Sequence, residues 1–383
     1  MRIAQIAPLM ESVPPRLYGG TERVVHVLTE ALADLGHEVT LFASGDSMTR
    51  AELVPCTREA LRFDSRVKDP TPHYMLMLDR VRDRAHTFDI LHFHIDVLHF
   101  PLFNDQPHRT VTTLHGRQDL PDLRALYRGF PDMPLVSISD HQRTPVADAN
   151  FAATVHHGLP KDLLAPTFDP RGGYLAFVGR MSPEKGPLAA IQLARELGLP
   201  LRMAAKIDKA DEGYFREMVQ PEIAYDGGVE FVGEISDREK ARFIGEAQAL
   251  LFPVDRSEPF GLVMIEAMAC GTPLLAFRAG SVPEVIEDGI TGRLVDAFEE
   301  ALLALPEVIA LDRRRIRARF EARFTAERMA RALGHHGLQA ELKLDPERPA
   351  TDEHGRSTQW KLLGMGDSYC VALDFSVDPM GRR

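Results

Sequence analysis

Glu258 and Glu266 stand in the stretch EPFGLVMIEAMACG, the second of them in the middle of an apolar run. Burying an unpaired carboxylate costs several kcal/mol or drives its pKa upward, so Glu266 requires a partner in the chain or a ligand that hydrogen-bonds to it. The preceding ALLFPV reads as a buried strand, DRSEP as its C-terminal loop, and FGLVMIEAMAC as a helix closed by Gly271 and Pro273. Phe260, Gly261 and Leu262 then sit at the helix start. Amides there lack intrahelical partners and the dipole favours an anion, which suits a phosphate. Glu266 lies ~6 Å further along the axis at 1.5 Å per residue, a spacing that suits a ribose whose 5'-phosphate end rests on the helix start. Glu258, in the loop before the helix, projects toward whatever lies beyond the phosphates. Taken alone, the segment leaves equally open an exposed helix glutamate and an ordinary tight turn.

Other loops carry compatible chemistry. FVGRMSPEKG ends a strand and delivers Arg180 and Lys185 on a glycine-punctuated loop, two cations for the charges of a diphosphate. YGGTE puts Gly19 and Gly20 before a helix with Thr21 as its expected N-cap, again offering free amides. TTLHG places His115 at the carboxyl end of a further strand, although a lone histidine is more often structural than catalytic. His92 and His94 share a strand face and raise a metal site, but no local carboxylate or cysteine completes a ligand set. The chain also has no D-x-D pair to hold a diphosphate through a divalent ion. The expectation is no metal, with Arg180, Lys185 and helix amides binding the diphosphate instead.

These loops need strands and helices to position them. RIAQIAPL, the helical TERVVHVLTEALADLG, and the strand HEVTLFAS begin a β-α-β alternation that DILHFHI, HRTVTTLHG, PLVSISD and ATVHHGL continue. The pattern breaks at PKDLLAPTFDPRGG and restarts at YLAFVGRM, which divides the chain into residues 1–167 and 168–344. The expected fold class is α/β, two Rossmann-like doubly wound domains facing a cleft, with ligands outside the carboxyl ends of the strands. An arginine-rich helix from about 312 to 344 closes the second domain. Residues 345–383, with Trp360, carry no functional assignment.

A chain of 383 residues suits two domains, and a formal charge of -11 argues against a nucleic-acid partner. Three widely spaced cysteines fit a reducing compartment, with the cytoplasm as the default. MRIAQIAPLMESVPP reads as a first strand and not as a signal sequence, and no stretch approaches the ~20 apolar residues that cross a bilayer. REALRFDSRVKD mixes basic and acidic residues, which leaves peripheral membrane contact open.

Taken together, YGGTE, TTLHG, VGRMSPEKG, EPFGLVMIEAMACGTP and GSVPEVIEDGITG resemble the GT-B retaining glycosyltransferases of family 4, over the chain from Met1 to about Ala332. The resemblance implies an acceptor domain followed by a nucleotide-sugar donor domain whose closing helix crosses back to the first. It assigns Arg180 and Lys185 to the diphosphate, Glu266 to the ribose and Glu258 to the donor sugar. The amides of Gly20 and of Phe260 to Leu262 would hold the departing phosphate, with Gly19 in the same loop, and His115 would sit beside sugar and acceptor. It implies no cofactor beyond the donor substrate, and leaves base, sugar, acceptor and oligomeric state open. Two departures stand out: AKID puts Lys206 and Asp208 near the nucleotide cleft, and His157 replaces a more usual asparagine. The alternatives are a sugar-nucleotide-binding protein without transfer activity, or another GT-B enzyme such as an epimerase or phosphorylase.

Overall fold

The computed structural model describes residues 1–17, 19–225 and 227–334, together with four short strands beyond them. Tyr18, Trp360 and most of the 345–383 segment lie outside the described residues. The late strands form two antiparallel ladders, Ala350–Thr351 with Ser357–Thr358 and Leu363–Met365 with Ser368–Cys370.

The first lobe is built on β1 (Arg2–Ile6), β2 (Glu38–Ser44), β3 (Glu52–Thr57), β4 (Ile90–Phe93), β5 (Thr110–Thr113), β6 (Leu135–Ser137) and β7 (Phe151–Thr154). They form one sheet in the order β3-β2-β1-β4-β5-β6-β7, parallel at every pairing. The second lobe uses β8 (Leu175–Arg180), β9 (Leu201–Lys206), β10 (Val229–Gly233), β11 (Ala249–Phe252), β12 (Leu274–Phe277) and β13 (Gly292–Val295). Their order, β10-β9-β8-β11-β12-β13, is again wholly parallel.

Central strands of such sheets are buried on both faces, which is why β11 (ALLF) and β12 (LLAF) read as unbroken apolar runs. Each sheet carries a core on either side: Leu78, Phe93 and Phe103 against one face of the first, Val24, Leu28 and Val111 against the other. In both sheets the winding direction reverses between the first and fourth strands, β1/β4 and β8/β11. The loops that leave these strands converge there, and ligands of doubly wound sheets bind in that crevice.

Three local expectations are corrected. The Gly20–Asp34 helix starts one residue before Thr21, with Gly19 at the cap and no side-chain cap bond. A Cβ at Gly19 would lie 2.7 Å from Pro15 Cβ, so the loop packs too tightly for a larger residue. The helix after β11 spans Leu262–Cys270, beginning after Phe260. The arginine-rich segment is two helices, Arg313–Arg323 and Ala326–Ala332, because Thr325 leaves the helical conformation and caps the second by accepting from the Arg328 amide at 3.2 Å.

That break redirects the chain. Ile316, Phe320 and Phe324 pack in the second lobe's core, whereas Met329, Ala330 and Leu333 pack with Ile3, Val24 and Val27 in the first. The chain thus returns to the lobe where it began. No described helix is long and apolar enough to cross a membrane.

Candidate functional site

Between the lobes lies a cavity of about 1650 Å³, and its walls include the loops and helix starts singled out in the sequence. Ligand cavities of ~300–1,000 Å³ hold drug-sized molecules, so this one has room for more than one reactant.

On the second-lobe wall, Gly261 takes the left-handed conformation (φ 77°) as the cap of the Leu262–Cys270 helix. A Cβ there would meet Met264 Cε at 2.9 Å and Phe252 Cζ at 3.0 Å. Glycine therefore keeps the helix start bare. One turn later Glu266, only 4% exposed, answers the question its sequence raised: its Oε1 accepts from Lys240 Nζ at 2.7 Å. Lys240 is also 3.5 Å from Asp237, which pairs with Arg23 of the first lobe.

Glu258 forms an ion pair with Lys185. Behind it, the Ser281 amide donates to its carbonyl at 3.0 Å, and a Cβ at Gly280 would lie 2.4 Å from its nitrogen. Gly186 performs the matching task for the Lys185 loop: with φ 69°, it sits where a Cβ would fall 2.1 Å from the Pro253 carbonyl. Arg180, at the end of β8, pairs with Glu184 and lies 3.4 Å from Asp211 and 3.8 Å from Asp208. Lys206, buried, contacts Asp208 at 2.7 Å. Arg180, Lys185, Glu258, Gly261, Leu262 and Glu266 thus line one wall.

Phe260 also lines the cleft, where its expected role falls to its backbone amide. Its ring is 2% exposed and packs against His157, His156 and Phe324 at centroid distances of 4.9, 5.8 and 6.3 Å. The side chain joins the lobes, leaving only backbone for a ligand.

On the first-lobe wall, Gly19 and Gly20 lead into their helix, and a Cβ at Gly20 would lie 3.6 Å from Leu262 Cδ1. The two helix starts therefore face each other. His115 is held by a hydrogen-bonded chain running into the sheet. Gln5 Oε1 can only accept, so His94 carries its proton on Nε2 (2.7 Å) and its Nδ1 accepts from His115 Nε2 at 2.9 Å. Gln5 Nε2 in turn lies 3.3 Å from His92 Nδ1, and His92 Nε2 lies 2.7 Å from Thr113 Oγ1. His92 and His94 are thus committed to this chain. Burial pushes His92 and His115 down to about 3 and His94 well below its ordinary value, so all are neutral. His115, with its Nε2 proton engaged, keeps Nδ1 as an acceptor.

Cleft residues that the sequence did not mark as site residues include Glu11, Glu22, Arg62 and Lys240. Only Lys240 had a sequence signal, since it shares helical spacing with the buried Phe243 and Ile244. Desolvation, with Glu11 nearby, raises Glu22 to about 7 against the opposing pull of a hydrogen bond from its own backbone amide and of Lys206 and Arg62.

Outside the cleft the lobes are fastened directly. Glu284 accepts from the backbone amides of Asp140 at 2.8 Å and His141 at 2.7 Å and lies 3.1 Å from His156 Nε2. Ser139 Oγ donates to the Pro259 carbonyl at 2.7 Å.

Two family models match this chain: Glycosyl transferases group 1 over residues 165–322 and Glycosyltransferase Family 4 over residues 18–144. Among curated relatives, a D-inositol 3-phosphate glycosyltransferase of Mycobacterium sp. (strain KMS) is 31% identical over 167 residues, 40% of this chain and 38% of that protein. One from Mycobacterium tuberculosis (strain F11) is 30% identical over 220 residues, 51% of this chain and 45% of that protein. The chain therefore spans less than half the length of these relatives. Among solved structures, sucrose-phosphate synthase from Thermosynechococcus elongatus superposes with a TM-score of 0.74 at 20% identity, covering 88% of this chain and 98% of that one. Anabaena HepE, crystallised with UDP and glucose, gives 0.68 at 16% identity with the same coverage.

Proposed function

The chain belongs to the group 1 glycosyltransferases of the GT-B fold, and from that premise we propose that it transfers a sugar from a nucleotide-diphosphate sugar to a hydroxyl-bearing acceptor. In this reading the anomeric configuration is retained and no metal ion takes part. One observation carries it: Arg180, Lys185, Glu258, Gly261 and Glu266 converge on one wall of a single cleft, with Gly20 and His115 across from them.

Each group has a task. The diphosphate rests on the Leu262 helix start, facing the amides beside Gly261, while Arg180 and Lys185 neutralise its charge. Glu266, one turn along, accepts from the ribose hydroxyls and remains held by Lys240. Glu258 accepts from hydroxyls of the donor sugar, and its pairing with Lys185 keeps the sugar's partner and the phosphate's partner side by side. In the reaction the bond between the anomeric carbon and the phosphate oxygen breaks, and its electron pair stays on the phosphate. The acceptor oxygen attacks that carbon from the same face and passes its proton to the departing phosphate. Charge grows on the leaving group as the bond breaks, and preorganised amides and cations there lower the barrier. His115 Nδ1 offers an acceptor to a sugar hydroxyl. Widely spaced free cysteines suit the same reading in a reducing, cytoplasmic setting.

The test is a thermal-shift screen of UDP-, GDP- and ADP-sugars, followed by transfer assays. UDP comes first because Anabaena HepE was crystallised with UDP-glucose. One donor should raise the melting temperature, and Lys185→Ala, Arg180→Ala and Glu266→Ala should each lose at least tenfold in turnover while remaining folded. Normal turnover by folded Lys185→Ala would overturn the assignment.

A further inference from the structure

Among the described residues, three buried carboxyl groups line the cleft: Glu11, Glu22 and Glu266. Two are matched by cations, Glu11 by Arg62 and Glu266 by Lys240. Glu22, 6% exposed on the first-lobe wall, has no ion pair among the described residues. Its carboxyl takes a hydrogen bond from its own backbone amide but no cation, and burying an acid without a cationic partner in a cleft wall is unfavourable unless a ligand uses its remaining hydrogen-bonding capacity.

The surroundings restrict which ligand. The cations nearest Glu22 are already engaged by acids: Arg62 by Glu11, with Asp208 at 3.6 Å, and Lys206 by Asp208 at 2.7 Å. Arg23, one residue along, pairs with Asp237 and donates to the Leu17 carbonyl at 3.0 Å. Around Glu22, the carboxyls Glu11, Glu22 and Asp208 outnumber the cations Arg62 and Lys206. A phosphate placed there would meet more carboxylates than cations. A hydroxyl would meet an acceptor, or a donor when Glu22 holds its proton. The exposed Lys68 and Lys209 also belong to the cleft lining.

Resting on the glycosyltransferase reading above, we propose that Glu22 selects the acceptor, binding a hydroxyl of an uncharged polyol or sugar and disfavouring a phosphate at that position. The chain would then differ in acceptor class from its mycobacterial relatives, which are named for inositol 3-phosphate.

The experiment uses the full chain saturated with UDP and two probe pairs: myo-inositol against inositol 3-phosphate, and glucose against glucose 6-phosphate. Binding is read by calorimetry, and transfer from the donor identified in the nucleotide-sugar screen is read alongside it. The neutral member of at least one pair should bind tenfold or more tightly than its phosphate. Glu22→Gln, which keeps the shape and loses the charge, should narrow that preference at least fivefold. The change should appear in the acceptor KM, while UDP affinity stays within about twofold. Preference for the phosphate in both pairs, no binding of either neutral probe to UDP-saturated protein, or an unchanged ratio in Glu22→Gln would each overturn the proposal. Failure of every nucleotide to bind would instead count against the glycosyltransferase reading.

Discussion

Glu266 and Lys240 are both buried, and their 2.7 Å contact makes each the compensation for the other's desolvation. Removing one partner of such a pair costs about 3–5 kcal/mol, because it leaves a buried charge alone. Lys240→Ala and Glu266→Ala should each lose that much in urea unfolding, and the double variant should lose clearly less than their sum. Strictly additive losses would show that the pair is not coupled. Glu22 tests the same physics with the opposite sign. Its carboxyl titrates at about 7 in the folded chain against an ordinary 4.5, so between those values the folded state binds more protons than the unfolded one. Its contribution therefore falls as pH rises through that window, and is fully lost above 7. Glu22→Gln should be more stable than the wild type at pH 8 by on the order of 3 kcal/mol, with the difference gone near pH 4. Equal urea midpoints at pH 8 would place Glu22 in contact with water.

The strand and helix that hold Glu258 and Glu266 were largely legible in the sequence, because a parallel strand buried on both faces is an unbroken apolar run and Gly271 marks a helix end. Gly261 was legible too, and substituting it has two costs. Alanine there must adopt φ 77°, worth about 1–2 kcal/mol, and its Cβ collides with Met264 and Phe252. Gly261→Ala should lower the melting temperature modestly and weaken nucleotide binding by at least fivefold. Unchanged affinity would mean that the phosphate does not approach this backbone. What sequence missed depends on contacts between distant segments. Phe260 reads as the start of its helix, yet the ring is claimed by His156, His157 and Phe324. Pro55 hid β3, since proline argues against a central strand but is tolerated at the sheet edge that β3 occupies. Phe320 and Phe324 keep helical rhythm across the break, so only Thr325 signals it. Glu22 reads as an ordinary first-turn acid, and its burial follows from the packing of loops around it.

At the scale of the whole molecule, the first lobe carries a cost in buried imidazoles. His92 and His115 are pushed down to about 3 by burial, and His94, His99 and His157 well below 6.5, so the folded chain holds all five neutral. The unfolded chain takes up their protons near 6.5, so this contribution to stability is intact above that value and is lost as pH falls toward the depressed folded values. Glu22 pulls the other way between 4.5 and 7, and desolvation also raises Asp96 and Asp211, but the five imidazoles outnumber these carboxyls. Net stability should therefore drop steeply between pH 6.5 and 5, which urea midpoints at pH 7.5, 6.0 and 5.0 will measure. His99 separates this effect from the cleft, because its ring stacks on Phe93 at 3.8 Å and contacts Thr112 Oγ1 at 2.9 Å. His99→Phe will lose stability at every pH through the orphaned hydroxyl, yet its pH slope should be shallower by up to about 1.4 kcal/mol per unit. A slope identical to the wild type would mean that His99 does not contribute to the pH dependence as a buried neutral imidazole.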